Sequence, residues 1–101
     1  MAAKTKRAFR EFVKLVEPID DVRHVVAFAD GAPEIFTYIR HRDDEVCRAI
    51  YQAEYRVADD FPELGMDFHI VYMEGRPLSK FVSPLPGLVF SRESDSVGNA
   101  E

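Results

Sequence analysis

The sequence predicts a small two-layer α+β domain, in the order α-β-β-α-β with a mainly antiparallel sheet and room for an extra C-terminal strand. Three observations carry that expectation. Apolar residues recur at helical spacing in residues 4–16 and again in 44–60. Residues 24–40 alternate on either side of an Asp30-Gly31 turn. A third alternating stretch, residues 66–73, follows the second helix.

In the first helix Ala8, Phe9, Phe12, Val13 and Val16 share one face, and Lys and Arg residues occupy the other. Glu17-Pro18 ends it, because proline disfavours helical geometry in the residue before it. In the next stretch Val25, Ala27 and Ala29 point one way and His24, Val26 and Phe28 the other. Both sets are largely apolar, so this strand is expected to be central or covered on both sides. Pro33, which has no N–H for a ladder, stands before the second strand, residues 34–40. There Ile35, Thr37 and Ile39 share a face, and Phe36, Tyr38 and Arg40 the other. Asp43 is placed to cap the second helix, with Asp44 and Glu45 in the first turn, where the helix dipole favours negative charge. Val46, Ala49, Ile50, Ala53 and Val57 form its apolar stripe, and Pro62 and Gly65 close it. After the third strand, residues 74–77 are a turn. Leu78 to Val82 are expected as a fourth strand paired with the third, and Leu88 to Phe90 as an apolar anchor for an edge. The domain is thus read over residues 1–90, with a basic helix (4–16), a ββαβ unit (24–73) and a return segment (78–90). Residues 91–101, poor in apolar side chains, are read as a disordered tail.

A single-helix crossover makes the third strand parallel to the second. The expectation is that it lies beside the first strand, in the order 2-1-3, or leaves a gap for another segment, as in ferredoxin-like sandwiches. Either arrangement leaves one apolar sheet face to be covered by the N-terminal helix, by the 78–90 segment or by a partner.

A composition of 47% hydrophobic and 31% charged residues excludes disorder over most of the 101 residues. Five basic residues against Glu11 give residues 1–16 a charge of +4, which leaves −9 of the total −5 for the remainder. A basic arm on an acidic body suits contact between copies, whereas an acidic body is a poor match for nucleic acid. The lone Cys47 cannot form an intramolecular disulfide, and no long apolar run marks a leader or a membrane span. The expected setting is the cytoplasm.

No local motif carries chemistry. The five glycines are dispersed, which excludes phosphate-binding loops, and His24, His41 and His69 lack metal-ligand spacing, so neither a metal nor a cofactor is expected. Cys47 sits at the edge of the buried stripe and reads as a small hydrophobe. The catalytic candidates are His69, Glu54 and Arg40, imagined together on the open sheet face. Burial would raise the Glu54 pKa, although an ion pair with Arg40 or His69 is the favoured reading. The leading functional expectation is a non-catalytic regulatory or protein-interaction module that self-associates or binds another protein. Its interaction residues are Lys4, Lys6, Arg7, Arg10, Phe36 and Tyr38. The alternatives are a small enzyme or ligand-binding domain on the open sheet face, and nucleic-acid binding through the basic helix.

Overall fold

The computed structural model describes residues 2–29, 31–81 and 87–92. Two helices, α1 (Ala3–Val16) and α2 (Asp44–Asp60), lie against a mixed sheet of β1 (Val22–Phe28), β2 (Glu34–Ile39), β3 (Asp67–Tyr72) and β4 (Leu88–Ser91). The strand order is β3-β2-β1-β4. β1 is antiparallel to both β2 and β4, and β3 runs parallel to β2.

The helical periodicity translates directly into burial. Ala8, Phe9, Phe12 and Val16 of α1, and Cys47, Ile50, Ala53 and Val57 of α2, are buried in one core with Val25, Ala27, Ile35 and Ile39 of the sheet. Both helices therefore cover the same sheet face. Asp43 caps α2 as expected, its Oδ1 accepting from the backbone N–H of Glu45 (3.0 Å) and Val46 (3.1 Å). A short 3-10 turn, Pro62–Leu64, leads into Gly65 at φ +58°, where the left-handed backbone suits glycine.

Three placements differ from the sequence reading. The third strand does not lie beside the first, nor is there a gap. It pairs with β2 at the sheet edge, and β4 takes the place beside β1. One helix suffices to link adjacent parallel strands, and the apolar Leu88–Ser91 segment fills the other flank of β1. Leu78–Lys80 is a 3-10 turn, not a strand, while Val82 lies outside the described residues. Pro77 precedes it and cannot donate to a ladder. This turn puts Leu78 and Phe81 over Val26, Phe36, Tyr38, Val71 and Met73, and so covers the second sheet face from within the chain. Finally, the fold continues past Phe90. Ser91 ends β4, and the Arg92 guanidinium donates to the carbonyls of Val22 (2.8 Å), Glu17 (2.8 Å) and Ile19 (3.0 Å). The expected disorder of the tail concerns residues 93–101, which lie outside the described residues.

Candidate functional site: a cationic cavity at one end of the sheet

β1 begins where β2, β3 and β4 end, and the side chains meeting there form a cavity of about 630 Å³. Arg23 and His24 come from β1, Arg40 and His41 from the end of β2, and Ser91 from β4. Met73, Gly75, Arg76, Pro77 and Leu78 follow β3. Three arginines and two histidines line it, with no carboxylate among its described lining residues.

Backbone irregularity builds this end. The β1–β2 register passes from Val22↔Ile39 to His24↔Tyr38, so Arg23 is an extra residue in β1. Such a bulge re-aims side chains, and consecutive residues Arg23 and His24 consequently both line the cavity. Across from it, Glu74 (φ +52°) and Gly75 (φ +82°) make a tight turn, closed by the Arg76 N–H donating to the Met73 carbonyl at 3.0 Å. A left-handed non-glycine residue such as Glu74 costs about 1–2 kcal/mol, and backbone strain of this kind clusters at functional sites.

The charged groups are held rather than loose. The Arg23 side chain, 4% exposed, donates to the Asp20 carbonyl at 2.9 Å and lies 3.6 Å from its carboxylate. Arg40 is 3.4 Å from Asp20 and 3.7 Å from Asp21. Those two acids offset part of the charge of Arg23 and Arg40. Arg76 has no carboxylate partner among the described residues. Its Nε donates to the Met73 carbonyl at 3.1 Å, and its guanidinium lies over the Phe81 ring at 5.2 Å. His24 Nδ1 is 2.9 Å from Ser91 Oγ, and His41 is 3.4 Å from Glu74 at the rim. The floor is closed by buried Met73, and the exposed residues Arg40, His41, Gly75, Arg76 and Pro77 form the mouth.

Of the catalytic and interaction candidates named from sequence, only Arg40 reaches this cavity, beside His24 and His41, which the sequence offers only as weak metal ligands. His69 lies on β3, stacked on Phe36 at 4.4 Å and 3.2 Å from Glu34. Glu54 is on α2, on the helix side of the sheet, so the trio is not brought together. Nor does Glu54 form the expected ion pair among the described residues: burial raises its pKa to about 7. Tyr38 is 2% exposed with Phe81 against its ring, so it offers no stacking surface, whereas Phe36 is half-buried. On α1, Lys4 pairs with Glu63 at 2.6 Å and Arg7 lies over Phe61 at 5.8 Å, while Lys6 and Arg10 are exposed. β2 separates His24 from His69, and among the described residues no three His, Cys, Asp or Glu side chains converge as metal ligands.

The cavity itself escaped the sequence reading because its residues span Arg23 to Ser91 with no local motif. One signal was present. The doublets Arg23-His24 and Arg40-His41 flank the hairpin, and a hairpin turning at Gly31 brings its two outer ends together.

Fold and site define a class: a two-layer α+β domain with a cationic cavity at one end of its sheet. Comparison with family models, with curated proteins and with solved structures gives no match for this chain.

Proposed function

We propose that this protein is a non-catalytic ligand-binding module whose cavity takes a small anion bearing a phosphate or carboxylate group. The observation that carries the reading is the lining itself, three arginines and two histidines with no carboxylate among the described lining residues, in a volume within the range of small-molecule sites. Arg76 supplies the strongest single element. Its guanidinium is oriented in advance by a carbonyl and a ring, which leaves its remaining N–H groups for the fork-to-fork contact that planar oxyanions favour. A positive cavity in a body of net charge −5 also focuses the field on its mouth. The reading includes a cytoplasmic setting, supported by the buried free Cys47, which suits a reducing compartment.

The test is thermal unfolding of the full chain in inorganic phosphate and in citrate, against sodium chloride at matched ionic strength. A specific ligand stabilises by about 2.7 kcal/mol at a hundredfold its Kd, with a midpoint that tracks ligand concentration. Arg76→Ala is expected to abolish that gain while leaving the midpoint in chloride nearly unchanged. Equal shifts in chloride and in both anions, or a gain that survives Arg76→Ala, refute the reading.

A further inference from the structure

β3 is the longer edge of the sheet, six residues against four in β4. Its hydrogen bonding determines which backbone groups remain open. The Asp67 N–H donates to the Pro33 carbonyl at 3.0 Å and the Met73 N–H to the Ile39 carbonyl at 2.8 Å, in a continuous parallel register between. Backbone direction alternates along a strand, so residues 67, 69, 71 and 73 face β2. Phe68, Ile70 and Tyr72 then direct their N–H and C=O groups outward, and no described strand pairs with them.

We propose that β3 pairs with β3 of a second copy, antiparallel and centred on Ile70, joining the two sheets into one of eight strands. The register follows from the open groups. Centred there, Ile70 meets Ile70 of the second copy and Phe68 meets Tyr72, so that all three outward residues fall in pairs that exchange both hydrogen bonds. A shift by one residue would place the apolar helix-side row opposite the other face. On that other face His69 meets Val71 of the second copy and Asp67 meets Met73, so no like charges oppose each other. The contact is self-complementary, as a two-fold interface requires.

The occupant is a second copy because this edge carries its own matching partner. No proline, lysine or bulge interrupts it, and its polar residues Asp67 and His69 stand on one face, opposite Met73 and Val71 of the second copy. Side chains beside the seam add apolar surface to the backbone pairing. Tyr72 is 36% and Tyr51 48% exposed. The Tyr72 hydroxyl lies 3.9 Å from Cys47 Sγ, which turns the Cys47–Tyr51 flank of α2 toward β3. The two-fold brings this flank beside its equivalent, continuing the helical layer over the seam. The anion cavity is built from other residues, so this inference stands apart from the proposed ligand.

Sedimentation equilibrium of the full chain from micromolar to millimolar concentration tests it. The expected mass rises from 11.6 kDa toward twice that value. Tyr72→Lys, which puts a charge against Phe68 of the second copy twice per dimer, is expected to weaken association about tenfold. Mixing His69→Cys with Val71→Cys chains reads the register directly, since facing residues with Cα atoms about 4.5 Å apart lie within disulfide reach. The mixed disulfide should form faster than either self-disulfide, and the wild type, with Cys47 alone and buried, should not cross-link. A mass fixed at 11.6 kDa throughout, association indifferent to Tyr72→Lys, or self-disulfides outpacing the mixed one overturns the proposal.

Discussion

Replacing Glu54 by glutamine should stabilise the protein, and by an amount that depends on pH. Glu54 sits on α2 beside the buried stripe, and the loss of water around its carboxyl, with no compensating cation among the described residues, lifts its pKa from 4.5 to about 7. In the unfolded chain the group titrates near its ordinary value. Below that value both states are protonated and the residue costs nothing. As pH rises from 4.5 toward 7 the unfolded chain releases its proton while the folded chain holds on to it, so folding loses stability across that window and stays penalised above it. A fully desolvated group with this displacement would cost roughly 3 kcal/mol, and solvent screening on the open side of a half-buried residue reduces this to about 1–2 kcal/mol. Glu54→Gln removes the ionisation and keeps the shape. Urea unfolding of both proteins between pH 4 and pH 8, at a concentration where association is absent, yields the difference free of every other titrating group. The variant should gain about 1–2 kcal/mol at pH 8 and converge on the wild type at the acid end. A difference that is flat with pH, or a variant less stable at pH 8, would show that the Glu54 carboxylate is solvated or paired.

Two other substitutions probe the framework. Thr37 is fully buried in β2, and its Oγ1 has no hydrogen-bond partner among the described residues. Thr37→Val should therefore raise stability by about 1 kcal/mol, seen as a melting temperature higher by about 4–8 °C. Arg92 ties the end of β4 to three carbonyls in the stretch between α1 and β1. Arg92→Ala should cost about 2–3 kcal/mol in chemical denaturation, and Arg92→Lys should recover little, because one ammonium cannot span three acceptors.

Local elements were legible because each is written in a short-range pattern. The stripe from Val46 to Val57, the Asp43 cap and the alternation across residues 24–40 all specify geometry within a few residues of themselves. Strand order is a different kind of information. The two apolar faces of β1 point to a strand that is central or covered on both sides, but they do not say whether Phe68 or Phe90 lies alongside. A closer reading of Asp67 and His69, polar residues on one face of the third strand, would have favoured an edge position. The cavity was hidden for the same reason: its cations converge only once β1, β2, β3 and β4 are in register. Leu78 and Phe81 stand three residues apart, a spacing that a single 3-10 turn brings to one side, although the apolar run alone suits a strand equally well.

The pairing of β4 with β1 has a consequence for how the molecule comes into being. His24 and Ser91, hydrogen-bonded at 2.9 Å, are 67 residues apart in the chain. During synthesis the hairpin, α2 and β3 all emerge before β4 does. Until then β1, apolar on both sides, waits with one edge unpaired and the cavity lacks a wall. Closing so long a loop is entropically costly, and such late, non-local contacts slow folding. The chain thus completes its cationic cavity and covers the open edge of β1 in the same step, and a product truncated before Leu88 would lack both.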